Sequence, residues 1–476
     1  MAYSSITKPE DHFETKLYAG SSSNVTVSGL NFQPDFIWLK NSSATDNHVV
    51  CDAVRGGNSN GYGNLYTNLS DVEYLPSSTN DSVESINSDG FVVGGNGNTN
   101  GSGENFVSWS WLAGGTAPAI TYVVKVVSDS GNKYRFDDFG TSAVTLELQE
   151  GGTYTFDQSD SSNSGHPLRF YTASDKTGGE YTTGVTTTGT PGSSGAQTVI
   201  TVAASAPTLY YQCSNHAGMG GQANTNSTHG SSNFSGSIQS TVSANTTAGF
   251  SVTSWTGTGS ASTVGHGLSS APQMLICKNR DRSANWVIYH QKLSSTPQTS
   301  YIYFSTMGGR HSNSGFWNST APTSSVFSIG TDGDFNASGE KVIGYCFNSV
   351  KGYSKFGSYT GNGNNEGPFV YTGFKPAFVI LKRIGTDGAI WQLIDNKRSN
   401  QGGFNVIDEV LAPNATDAEY DEGSANWFAD FNSNGFKLRT TGGAGNTSGS
   451  SYIYMAFAEN PFVANDSGTV VPGTAR

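Results

Sequence analysis

At 476 residues the chain is long enough for three or four domains of ordinary size, and its net charge of −12, with only 13% charged residues and no Lys/Arg cluster, argues against a general nucleic-acid binder, which needs cations for phosphates. Aromatic residues at 12% beside 60 glycines exclude a disordered chain and point to short strands joined by tight turns. No apolar run approaches the roughly 20 residues of a membrane span. The opening MAYSSITKPEDHFETKLY lacks the apolar core of a signal peptide, so synthesis in the cytoplasm is expected.

The first predicted element is an aromatic strand, HFETKLYAG, around Phe13. Pro34 then leads an apolar run, FQPDFIWLKN. A second strand, HVVCDAVR, a glycine turn, NSDGFVVGG, and a closing strand, NGSGENFVSWSW, complete the unit. A Gly/Pro linker, LAGGTAPAIT at 112–121, follows. Residues 119–225 show a different pattern, with candidate strands TYVVKVVS, KYRFD, AVTLELQ, GTYTFDQS, HPLRFYT, AQTVITVAA and LYYQCSNH. After a second linker, QANTNSTHGSSNFSGS at 222–237, the first order of events returns twice. GFSVTSWTGTG, SAPQMLICKN, NWVIYHQK, IGTDGDF and NASGEKVIGYCF make one copy. GYSKFGSYTGNG, FKPAFVILKR, IWQLIDNKR, NSNGFKL and NTSGSSYIYMAF make the other. Phe13 to Pro34, Phe250 to Pro272 and Tyr353 to Pro376 span 21, 22 and 23 residues.

The closing strands show what the copies share. Val107, Trp109 and Trp111 match Ile343, Tyr345 and Phe347, and then Ile453, Met455 and Phe457, all large and apolar at period two. Ser108, Ser110, Gly344, Cys346 and Ala456 lie between them. One side of each strand therefore faces a core. The expected fold class is all-β: three repeated β-sandwich units, jelly-roll or lectin-like, at 1–115, 234–350 and 351–476, with a further β-sandwich inserted at 119–225.

The inserted domain ends in a chemically specific stretch. LYYQCSNHAGMGG places Cys213, His216 and Met219 at spacing C-x2-H-x2-M, and SGHPLRF supplies His166 upstream. A thiolate, two imidazoles and a thioether form the ligand set of a blue-copper centre. The loop is similar to the short ligand loop of amicyanin-type cupredoxins, and GTYTFDQS…GHPLRF resembles the cupredoxin stretch before the first ligand histidine. The resemblance covers about 100 residues and implies copper held by His166, Cys213, His216 and Met219. The 46 residues between His166 and Cys213 include the Gly/Thr-rich EYTTGVTTTGTPGSSGAQ, a departure from the family in that loop. An empty cupredoxin-like scaffold serving as a spacer is the other reading.

A second resemblance spans essentially the whole chain. MAYSSITKPEDHFETKLYAG, GLNFQPDFIWLKN, SIQSTVSANTTAGFS and AENPFVANDSGTVVPGTAR are similar to tail-fibre and other structural proteins of marine, cyanobacterial-type tailed bacteriophages. It implies a virion location and a non-enzymatic surface appendage contributing to host attachment. The expected partners are other virion proteins and a host receptor, a glycan among the candidates, with a homo-oligomer, by analogy a trimer. Neither nucleic-acid binding nor membrane insertion is expected. A capsid decoration or baseplate component is the alternative, with a polysaccharide depolymerase or copper oxidoreductase behind it.

The remaining chemistry-bearing residues have structural readings. Asp52 and Arg55 recur as Asp395 and Arg398, but His290 and Leu293 stand there in the middle copy, which suits an ion pair at a strand end rather than a catalytic pair. Glu104 recurs as Glu340 and becomes Ser450. Cys51, Cys277 and Cys346 align with apolar or small residues and are expected in cores, and no cysteine spacing suggests a disulfide framework. Trp286, Trp391, Trp255, Trp317 and Trp427 are weighed as core residues against sugar-stacking ones.

Overall fold

The computed structural model describes residues 4–225, 229–385, 387–398, 405–421, 428–466 and 469–472, the last eight of these positions by backbone alone. Trp427 and the last residues of the C-terminal tail lie outside the described residues. The architecture is all-β, built from antiparallel sheets arranged as sandwiches.

In each of the three similar segments the closing strand is central in the larger sheet. Asn105–Trp111 lies between the opening strand Phe13–Ala19 and the proline-led strand Phe36–Asn41, with Val49–Asp52 beyond. Lys341–Phe347 lies likewise between Phe250–Thr256 and Met274–Asn279, and Ser451–Pro461 between Ser354–Thr360 and Phe374–Arg383. The registers match: Thr15, Trp109 and Trp38 stand abreast, as do Val252, Tyr345 and Ile276, and Phe356, Met455 and Ile380.

The period-two pattern names the residues that share a face, but the partner of that face is a finding. All nine large closing-strand residues, Val107 to Phe457, belong to one hydrophobic cluster drawn from all three segments. The opposite side packs on each segment's own small sheet: Cys346 and Ala456 belong to two separate cores, and Ser108 and Ser110 are fully buried. Both faces of the large sheets are therefore covered. This explains why FIWLKN, VVCD, MLICKN and VIYH are buried at every position instead of alternating with solvent.

The shared core closes into a ring. Phe36 meets Tyr345 (ring centroids 4.5 Å apart), Phe347 meets Phe356 (5.8 Å) and Phe457 meets Phe13 (5.2 Å). Main-chain hydrogen bonds cross each seam in corresponding pairs. Glu73 N–H to Arg280 O (2.9 Å) and Ala284 N–H to Ser70 O (2.8 Å) join the first and second units. Arg310 to Ile384 and Gly388 to Met307, both 3.0 Å, join the second and third. Glu419 to Ser42 (2.8 Å) and Asp46 to Thr416 (2.9 Å) return to the first. The units are thus not beads in series, each with a private core, but a ring around a common one.

One glycine motif resolves into two structures. Gly90 and Gly435 begin strands where a Cβ would lie 1.9 Å from Val27 O and 2.2 Å from Val370 O, so the close strand approach requires glycine. In IGTDGDF, by contrast, Gly333–Asn336 is a single helical turn, matching Gly97–Asn100. Asp332 and Asn96 cap these turns by accepting from Asp334 N–H and Asn98 N–H.

The seven described tryptophans are at most 3% exposed and none can stack on a ligand. Asp52 and Arg55 form a buried ion pair, as do Asp395 and Arg398 (2.6 Å). Glu104 and Glu340 each accept from an asparagine, Asn41 (2.7 Å) and Asn279 (2.6 Å).

The inserted domain packs a sheet that includes Ala119–Ser128, Thr153–Asp157 and Gln197–Thr201 against one that includes Leu209–Cys213 and Leu168–Tyr171. An aromatic core of Tyr122, Phe136, Phe156, Phe170 and Tyr211 lies between them. It is anchored to the ring by Phe234, which enters this core, and by Tyr122 Oη donating to Ser232 O (2.8 Å).

Candidate metal centre

Strand pairing brings the donors together. Leu168 stands opposite Cys213, so His166, two residues before its strand, sits beside the end of the cysteine strand. The chain then turns through Ser214 and Asn215 and returns His216 to the same spot.

Cys213 Sγ lies 3.5 Å from His216 Nδ1 and 3.9 Å from His166 Nδ1. The ligand atoms of all three residues fall within 4.8 Å of one another, and the imidazole rings are 4.7 Å apart. A thiolate at about 2.3 Å and an imidazole at about 2.0 Å from one ion would stand roughly 3.6–3.8 Å apart in tetrahedral or trigonal geometry, and the observed separations bracket that range. The sulfur is buried, His166 is half-buried and His216 is exposed, so one edge of the centre opens to solvent. Burial, with the His216 ring as a smaller contribution, lowers the His166 pKa and favours the neutral form that binds metal. Met219 is 1% exposed and packs in the core cluster that contains Cys213. The sequence-predicted ligands thus fall into a grouped His–Cys–His set and a methionine buried in that core.

The surrounding residues fix the loops. Gln158 Nε2 and Tyr134 Oη both donate to the His166 carbonyl at 2.9 Å. Asn215 Nδ2 donates to Gly165 O at 2.9 Å, tying one ligand loop to the other. Lys176 Nζ donates to the carbonyls of Cys213 and Ser214, both at 3.2 Å, and Tyr134 N–H donates to Met219 O at 2.8 Å. A Cβ on Gly220 would lie 1.6 Å from Tyr211 O, so only glycine permits the loop to pass there. Tyr134, Gln158 and Lys176 were not predicted as site residues. They are distant in sequence and of common types, and only the pairing of strands reveals them.

The domain of unknown function DUF7483 is the family whose model matches the chain, over residues 8–143 and 221–461. The four predicted ligands lie between those two stretches. No curated protein and no solved structure matches the chain.

Proposed function

The chain belongs to the DUF7483 family, whose function is undefined, and from that premise we propose that it is a non-enzymatic structural protein of a tailed-bacteriophage particle, a surface appendage contributing to host attachment. The observation that carries this reading is the three-unit ring around one core. A closed block whose central strands are buried on both faces suits a load-carrying part. The recurring acidic residues have structural partners there: Asp52 and Asp395 in buried ion pairs, Glu104 and Glu340 on asparagines. The sequence resemblance to phage structural proteins supports the same reading. Immunogold labelling of purified particles tests it, with label expected on the tail. Label confined to capsid faces selects the decoration alternative, and unlabelled particles overturn the proposal.

The inserted domain adds one soft-metal site in this reading, with copper as the fitting ion for two imidazoles and a thiolate. Its role is a clamp: a ligand bound only by the folded state adds its binding free energy to the stability of that state. Purified protein titrated with copper tests this by thiolate charge-transfer absorption. Stoichiometric colour is expected, and no change on titration would remove the site.

A further inference from the structure

The ring is asymmetric at one place. In the second unit, Ser240–Asn245 pairs with the opening strand Phe250–Thr256, and Ile238 bridges to Val264 of the small sheet, closing the open side of the sandwich. In the first unit Phe13–Ala19 and Val25–Ser28 end their sheets, and in the third unit Ser354–Thr360 and Phe369–Tyr371 do the same. Between the third unit's two edges and the second unit's Gln291 and Lys292 lies a groove of about 920 Å³.

An added strand is disfavoured there. The edge groups of Phe356 already have partners: its N–H donates to Ser349 Oγ (3.2 Å) and its carbonyl accepts from Gln291 Nε2 (2.8 Å). What the groove offers is side chains. Lys292, Lys351 and Lys355 line it, and among the described residues no lining residue carries a carboxylate, although the chain as a whole has net charge −12. Phe369 and Tyr371 are 48% and 51% exposed. Two residues apart in one strand, they share a face at a spacing of about 7 Å. Lys355 Nζ lies 5.0 Å from the Tyr371 ring centroid and donates to the Tyr371 carbonyl at 2.7 Å, which fixes ammonium and ring side by side.

We propose that this groove binds an acidic oligosaccharide, with the apolar faces of its sugars on Phe369 and Tyr371 and its carboxylates paired with the lysines. The proposal deepens the attachment reading and rests on it only for its biological sense.

The test is calorimetric titration of the full chain with oligogalacturonate and with a neutral oligosaccharide of equal length. Binding of the acidic ligand is expected, at least tenfold tighter than the neutral one and weakened by salt. Tyr371→Ala and Lys292→Glu should each reduce it at least tenfold, while Lys125→Glu on the inserted domain leaves it unchanged. Both altered residues are exposed, and circular dichroism checks that the variants fold. No binding of oligogalacturonate, or binding untouched by both groove variants, overturns the proposal. So does groove occupancy by a peptide copying residues 238–245. Failure here leaves the particle assignment to immunogold labelling, and failure of that labelling leaves the groove's affinity intact.

Discussion

Cys213 supplies the one sulfur donor grouped with two imidazoles, and the metal centre depends on it. Cys213→Ser should abolish the charge-transfer band on copper addition, whereas Lys176→Met should keep the band and weaken the affinity, because Lys176 touches only loop carbonyls. A band surviving in Cys213→Ser would contradict the assignment. The local half of the grouped set was legible because Cys213 and His216 stand three residues apart. The supporting half was not, because Gln158 and Tyr134 act through a carbonyl that carries no sequence signal. A second residue-scale expectation concerns pH. His290 is fully buried, and desolvation lowers its pKa to about 4, against about 6.5 unfolded. Its unfolded state binds the proton first, so stability is complete above pH 6.5 and is lost as pH falls toward 4, by about 3 kcal/mol. Urea titrations across that range should show the decline, and His290→Gln should make it shallower, the buried His48 and His266, whose pKa values burial also lowers, keeping the rest.

Between elements, the seams differ in chemistry while sharing geometry. Tyr345 Oη donates to Asp52 (2.7 Å), and Trp109 Nε1 donates to Asp395 (3.2 Å). At the remaining seam His290 Nε2 lies 3.2 Å from Tyr454 O. Thus two seams hold a buried aspartate–arginine pair and the third a neutral histidine. Removing one partner of a buried pair strands the other charge, so Arg398→Leu should cost about 3–5 kcal/mol by chemical denaturation. Lys125→Ala, at the more exposed Lys125–Asp138 pair, should leave the denaturation midpoint nearly unchanged. The recurrence of Asp52 and Arg55 as Asp395 and Arg398 revealed the pairs, but not that Asp52 and Asp395 reach across to another unit's closing strand.

For the whole molecule, the repeats were legible because matched strands keep their apolar residues at fixed spacing. The ring was not, because a period-two pattern is silent about what covers the face it defines. Nine matched residues, from Val107 to Phe457, converge on one cluster, so the units should lose structure together. Phe457→Ala should therefore cost about 3–5 kcal/mol and destabilise all three units, not the third alone. Bound copper should stabilise only the inserted domain, by about 2.7 kcal/mol at a hundredfold excess over Kd. Hydrogen–deuterium exchange along a urea series tests the shared core most directly, by following peptides from 105–111, 341–347 and 451–458. A common urea midpoint for the three, lowered together by Phe457→Ala, is the predicted result; three separate midpoints, with only the third moved by the substitution, would contradict it.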